Sequence, residues 1–419
     1  MACQVRPQEF IRFRFVKSLI SWLSTRANEV ALVIAILIVI GVTVFADSSQ
    51  SYRLDPRASA EDILRNAAML TIFALGASVV IIAGGIDLSA GSMIAFSGTT
   101  IACTMLGIQS LGTIENPVAE WKVVSGGIAA GLFAGFVVGT LHAWLITSVG
   151  LPPFVATLAT LVGLRSLARV MGETVTQVLL SGKKSQIPIE QPFFTDFLRQ
   201  RVDLWIYTAI GLAIFTFVLL GYTILGRHLY ALGGNEQAAR LSGLRTDRLK
   251  WFAYVFGAMT ASLASIFYLA NEGVSAPVTQ ARGHELNAIA AAVVGGCSLK
   301  GGVGTVTGTL LGALFLRVVI DSVAKIIKSG ADVWEGLIVG VVVVLAVTFS
   351  QLRMARNTGR SLLGGALGAC AIVILATTTG MVAGMNLGAK LGMTIGIASG
   401  LVLGFFRWVE GYRDRRRVT

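Results

Sequence analysis

Asp87 ends a long apolar run: it closes the string Gly84-Gly85-Ile86-Asp87-Leu88-Ser89 and is the first acid after Asp62. A carboxylate in or beside a bilayer is costly, and where it is kept it marks a functional position. Two roles suit it. It can cap a helix starting near Leu88 or Ser89 by accepting hydrogen bonds from free N–H groups, or it can touch the hydroxyls of a passing solute. The second half of the chain echoes the first, with Gly295-Gly296-Cys297-Ser298-Leu299-Lys300-Gly301-Gly302. Both strings read G-G-x-x-L-x-x-G, and both interrupt apolar sequence. Glycine breaks at corresponding places in two halves point to a central transport site, because freed backbone groups must face a cavity or water. The simpler role of such glycines is close helix packing.

These strings lie in a charge-poor chain. Of 419 residues, 54% are hydrophobic and only 13% are charged, against about 25% charged in an average soluble domain. So few charges cannot cover a water-soluble body of this size, which excludes a soluble enzyme, a disordered tail protein and a nucleic-acid binder. Spans need about 20 mainly apolar residues. Twelve segments qualify: 29–46, 64–84, 90–107, 124–147, 153–172, 204–225, 251–271, 285–299, 304–323, 333–350, 362–380 and 388–406. The fold class expected is all-α, a polytopic transmembrane helical bundle. The net charge of +12 follows from basic inner loops. With both termini in the cytoplasm, the basic head 1–28, the 226–250 loop and the tail Arg413 to Arg417 all fall inside. Residues 10–23 suit an amphipathic helix lying at the inner surface.

The 226–250 loop carries its own signal. Asn235 suits a helix N-cap, Glu236 lies in the first turn, Arg240 follows four residues later and Gly243 is a stop. Ala238 and Ala239 keep the helix small enough to dock into a partner's groove. A mere connector does not need a capped helix.

Other residues have plainer readings. Arg317 and Asp321, four apart, are expected to pair on one helix. Arg165 and Arg169 are expected to snorkel toward the outer interface. His142, His228 and His284 are scattered and suit structural hydrogen bonding. The four cysteines form neither a CxxC nor a Cys/His cluster, so neither a disulfide framework nor a metal site is expected. No GxxxxGK[ST] occurs, since Gly182-Lys183-Lys184-Ser185 lacks the earlier glycine; nor do HExxH or GxSxG.

Three strings together are specific: GGIDLSAGS, GGNEQAARLSG, and Arg282-Gly283-His284-Glu285-Leu286-Asn287-Ala288-Ile289-Ala290 leading to Gly295-Gly296. On these the chain resembles the permease subunits of bacterial ABC importers for ribose, xylose, galactose and related solutes, over roughly residues 60–352. The resemblance implies a permease domain at 29–352, with about ten core helices including the glycine-broken segments. It also implies two such permeases together (a homodimer or a related paralogue), ABC ATPase subunits, and a periplasmic or lipid-anchored binding protein. ATP would be bound by the partner ATPase, with no cofactor and no catalysis in this chain, at a bacterial inner membrane. Asn235, Glu236, Ala238, Ala239, Arg240 and Gly243 would form the coupling loop that seats in the ATPase. Asn66, Asp87, Ser89, Ser92, Thr157, Thr160 and Asn287 are candidates to line the path, chosen for position beside breaks or within motifs. The chain departs from the family at His284 and Asn287, where Tyr and Asp are common. It also continues through 353–419, with two further apolar segments. The rival reading is an ion-coupled carrier or channel acting without an ATPase; the glycine breaks suit it, the capped loop does not.

Overall fold

The computed structural model describes residues 27–47, 50–113 and 115–326, with scattered helical positions between 336 and 407. It forms two units, Met1–Val344 and Leu345–Thr419; the account below concerns the first. The expected amphipathic stretch 10–23, the spans 333–350, 362–380 and 388–406 and the basic tail lie wholly or largely outside the described residues.

The protein is an all-α membrane bundle, and eight of its described helices are long and apolar enough to cross a bilayer. In chain order the helices are α1 (Ala27–Ala46), α2 (Ser51–Leu54), α3 (Pro56–Ile82), α4 (Ala90–Gln109), α5 (Glu120–Thr147) and α6 (Pro153–Leu180). There follow strand β1 (Ile187–Pro188), a π-helical turn (Phe193–Leu198), α7 (Val202–Tyr222), α8 (Ile224–Gly234), α9 (Glu236–Leu241) and α10 (Thr246–Glu272). Strand β2 (Val274–Ser275), α11 (His284–Val294) and α12 (Val306–Ile326) complete the series. β1 and β2 pair antiparallel, Ile187 opposite Ser275. This pairing marks one end of the bundle, here the hairpin end. The α8–α9 loop marks the other.

Burial separates the core from the periphery. In its most apolar stretch α3 is 89% buried, whereas α1 is 17% buried; α10 and α4 join α3 at the centre. Among apolar surroundings, helices associate through close van der Waals packing rather than a hydrophobic drive, and this sequence supplies it with glycine. Gly127, Gly131, Gly135 and Gly139 form one stripe along α5. Cβ atoms on Gly127 and Gly131 would run into Ile101 of α4, and those on Gly135 and Gly139 into the α10 backbone at Ala258 and Val255. Ser97 donates to the Gly131 carbonyl at 2.6 Å, tying α4 to that stripe. Gly76 of α3 meets Gly257 and Thr260 of α10 in the same way. Part of the glycine excess is therefore packing, as the simpler reading held.

Termini follow local chemistry. Pro56 opens α3 and Asp55 accepts from the Ala58 N–H at 3.0 Å. α1 and α12 run side by side in one direction: Glu29 accepts from Thr307 near their starts, and Asp321 accepts from Tyr52 at 2.7 Å near their ends. Burial, then the Asp321 carboxylate, raises the Tyr52 phenol above its ordinary range, so it donates as a neutral hydroxyl.

Several expectations change. The 285–299 segment is not a span; α11 is an eleven-residue helix followed by a break. Asp321 pairs with Lys325 at 3.3 Å and not with Arg317, whose Nε is buried without a hydrogen-bond partner. α6 continues to Leu180, and α8 makes half of the 226–250 loop helical.

Replacing Gly135 with Leu should lower unfolding free energy by about 1–3 kcal/mol, because the α10 backbone cannot yield. Gly163→Leu, where a Cβ meets nothing within 4 Å, should leave stability near native. Thermal unfolding of the two variants in detergent checks the contrast.

Candidate functional site

The two glycine strings end helices by the same device. Gly84 has φ +84°, its N–H reaches the Ile81 carbonyl and the Gly85 N–H reaches Val80, both at 2.9 Å. In the second copy Gly296 has φ +101°, its N–H reaches Val293 and the Cys297 N–H reaches Ala292, again at 2.9 Å. This pair of bonds is the Schellman termination, which needs a left-handed residue that glycine adopts without strain. Both copies thus head toward the loop end, stop and turn back, so they share one orientation.

At that end they meet each other and the loop. The Gly302 N–H donates to the Ile82 carbonyl at 2.9 Å. A Cβ on Gly301 would stand 2.8 Å from Gly84 Cα and 2.9 Å from Gly233 Cα, and one on Gly302 2.7 Å from Gly234 Cα. The last two residues of α8 are therefore wedged between the two breaks, backbone against backbone. Tyr230 of α8 adds a hydrogen bond to the Gly304 carbonyl at 2.8 Å. Burial raises its phenol, which keeps it a neutral donor.

From this junction α9 projects outward. Asn235 accepts from the Ala238 N–H at 3.0 Å, capping α9 as its sequence predicts. Gly243, at φ +84°, ends it, with the Leu244 N–H reaching Ala239 at 3.1 Å. Glu236 takes Lys250 at 2.7 Å and Arg240 at 3.5 Å. Ala239 is buried, whereas Asn235, Ala238 and Arg240 are exposed and Leu241 is 89% exposed. The helix presents an apolar tip within a polar surround.

Between the first break and α4 the chain runs without regular structure through residues 85–89. Here lies Asp87, buried. Its Oδ1 accepts from the Ser89 N–H at 2.8 Å and the Ser89 hydroxyl at 2.6 Å. Its Oδ2 faces Gly257 of α10, where a Cβ would be 3.8 Å away. Tyr254 packs on His142, ring centroids 6.2 Å apart, and the Tyr254 hydroxyl abuts Gly85. His142 Nε2 bonds the Thr160 hydroxyl at 2.7 Å. The Thr157 hydroxyl donates to Pro153 at 3.0 Å and reaches the Ile86 carbonyl at 3.3 Å; Ser92 donates to Leu161 at 2.7 Å. His142 Nδ1 and the Tyr254 hydroxyl are buried without hydrogen-bond partners. Asp87, Ser89, Ser92, Thr157 and Thr160 are thus brought together around the irregular 85–89 segment and the start of α4. Asn287 is buried on α11. Asn66 stands apart: its amide donates to the Asp62 carbonyl in the early turns of α3, roughly 24 Å along the helix from Ile82 at 1.5 Å per residue.

A third polar region escapes sequence reasoning. Residues 276–283 descend from β2 into the bundle without regular structure, and α11 starts where they end. Arg165 holds them: its Nη1 donates to the carbonyls of Pro277 at 3.0 Å, Val278 at 3.3 Å and Gln280 at 3.0 Å. It turns inward instead of snorkelling, because three unpaired carbonyls outbid the interface. Arg169 pairs with Glu173 at 2.7 Å.

Helices interrupted by glycine, a largely buried irregular segment and a short exposed helix at one end are the features of this bundle. The family described as branched-chain amino acid transport system / permease component matches residues 59–347. The ribose import permease of Escherichia coli (strain K12) is 32% identical over 335 residues, covering 78% of this chain and 94% of its own. The fructose import permease of Bifidobacterium longum is 32% identical, covering 69% and 81%. The autoinducer 2 import permease of Yersinia pseudotuberculosis (serotype O:1b) is 33% identical, covering 70% and 77%. No solved structure matches. This chain belongs to the permease components of ABC importers, in the family that contains those sugar-type permeases.

The Asp87 geometry favours helix-start support, and Asn can replace it there. Asp87→Asn should keep the unfolding midpoint near native, because its carbonyl oxygen still accepts from Ser89. Asp87→Leu strands two buried donors at about 1–3 kcal/mol each and should lower the midpoint clearly in the same melting assay.

Proposed function

We propose that this chain forms the membrane path for a small polyhydroxylated, sugar-like solute, imported at the expense of ATP hydrolysed in separate subunits. The observation that carries the reading is the junction of Gly84, Gly233, Gly301 and Gly302. Through it α9, the only described part suited to seat in an ATPase, touches both interrupted segments that flank the path. The relatives supply the solute class, being permeases for ribose, fructose and autoinducer 2.

In this reading the loop end is cytoplasmic, consistent with Arg227, Arg240, Arg245, Arg248 and Lys250 in one short stretch. Nucleotide binding in the ATPase moves α9 and the capped α8 terminus. Gly233 and Gly234 then displace the ends of α3 and α11 together, and access switches from one side to the other. The chain itself binds no nucleotide and supplies no reacting group; its work is differential exposure of a polar route. A second permease copy and a solute-binding protein at the hairpin end complete the assembly, the latter delivering solute to the opening above residues 276–283.

The test is reconstitution in liposomes with the cognate ATPase and binding protein, following uptake of radiolabelled D-ribose and D-fructose. Uptake of one of them should require ATP on the loop side and survive collapse of ion gradients by ionophores. Gradient-driven uptake without the ATPase contradicts the proposal. Replacing the exposed Leu241 with Asp should lower ATPase co-purification and uptake together, since a carboxylate then meets the partner's apolar groove.

A further inference from the structure

Arg165 stands midway along α6, twelve residues from Pro153 and fifteen from Leu180. The 276–283 segment that it holds therefore lies at mid-depth, and so does the start of α11. One further contact agrees: the His284 ring lies 6.4 Å from that of Phe73, which is nine residues from the end of α3; His284 Nδ1 also bonds the Tyr268 hydroxyl of α10 at 2.7 Å.

At this depth the surface is not that of a lipid-facing helix. Arg282 is exposed and makes no ion pair among the described residues. Leu286 is 54% exposed and Val278 43%. A cation at the bilayer centre faces water or protein, never hydrocarbon alone. Beside Arg282 lie two groups that lack hydrogen bonds. Gln280 is 1% exposed, with both amide atoms unpartnered, and packs against Gly98 of α4. Glu285 has an unpartnered Oε2 against Gly91, at the start of the same helix. Arg165 and Arg282 are both within electrostatic reach of Glu285. Leaving a buried amide and carboxylate oxygen unpaired costs about 1–3 kcal/mol each, a cost repaid when something polar arrives.

We infer that the 278–286 face is the wall of the water-filled path, and that Gln280, Arg282 and Glu285 on it bind the hydroxyls of an uncharged polyol ring. The set fits that class: an amide that donates and accepts, a carboxylate that accepts, and a planar guanidinium that donates in a fork. Arg282 and Glu285 offset each other in charge, and the Arg165 guanidinium, though still cationic, turns its Nη1 donors to three backbone carbonyls rather than to a solute. The solute class rests on the importer reading above; the placement of the wall does not.

The test is thiol labelling in the full complex. In a variant with Cys3, Cys103, Cys297 and Cys370 replaced by Ser, single cysteines are placed at Leu286, Arg282 and, as the lipid-facing control, Ile214 of α7, which is 59% exposed at mid-helix. A membrane-impermeant cationic methanethiosulfonate is applied from either side, with and without ATP. Leu286→Cys and Arg282→Cys should label about tenfold or more faster than Ile214→Cys in one nucleotide state, since only a wetted thiol ionises and reacts. D-ribose or D-fructose should slow that labelling, whereas D-ribose 5-phosphate should not. In the native background Glu285→Gln and Gln280→Ala should raise the KM for uptake about tenfold with ATP hydrolysis retained. Labelling no faster than the control in every state overturns the wall. Fast labelling that D-ribose 5-phosphate slows best overturns the uncharged class. Fast labelling of a complex that imports no sugar leaves the wall standing and sinks the importer reading instead.

Discussion

The structure turns on a backbone contact that side chains would forbid. Gly84, Gly233, Gly301 and Gly302 come from three segments far apart in sequence, yet their main-chain atoms touch, and the Gly302 N–H completes the contact on Ile82. Three consequences follow. The ends of α3 and α11 are fixed side by side. The C-terminus of α8 cannot move without moving them. Because backbones in direct contact have few intermediate packings, a displacement of the α8 terminus would reach the ends of α3 and α11 as a step rather than a gradual strain.

The second constraint is dielectric. Interrupting helices in a bilayer frees backbone groups that hydrocarbon cannot solvate, and each interruption here is compensated differently. At the two turns the Schellman bonds and the glycine contact take up the freed groups. Along 85–89 the carboxylate of Asp87 and the Thr157 hydroxyl serve. Along 276–283 a single guanidinium, Arg165, gathers three carbonyls. What these devices leave over includes Gln280 and Glu285 around the start of α11 and His142 Nδ1 and the Tyr254 hydroxyl beside the 85–89 segment. Polarity left over beside helix breaks is what a route for a hydrophilic solute requires, and a purely structural membrane scaffold has no use for it.

Much of this was legible in the sequence, and its limits are physical. Long apolar runs set off all eight described spans, because length and hydropathy suffice for a helix that must cross a bilayer. The α9 cap and stop were legible because capping depends on neighbours two to four residues away. The matching glycine strings gave the breaks, but not that they touch, since contact between Gly84 and Gly301 is tertiary. Residues 276–283 carry no period at all, so the apolar stretch after them read as a span. Asp321 has a cation one turn to either side, Arg317 and Lys325. Nothing local chooses between them; Tyr52 and Ser59, which bond Asp321 and Lys325 from another part of the chain, favour the latter. Arg165 turned inward for a similar reason: its partners exist only once the segment has descended.

The central claim is that the docking helix drives both breaks through Gly233. The most direct measurement is solute taken up per ATP hydrolysed, compared between Gly233→Ala and Gly234→Ala in the reconstituted complex. A Cβ at Gly233 meets the Ile82 carbonyl, whereas one at Gly234 meets nothing within 4 Å. The account predicts that Gly233→Ala lowers uptake per ATP by about tenfold or more, roughly 1.4 kcal/mol or above, with hydrolysis retained, and that Gly234→Ala matches the native protein. Equal, native-like uptake per ATP in both variants would contradict it.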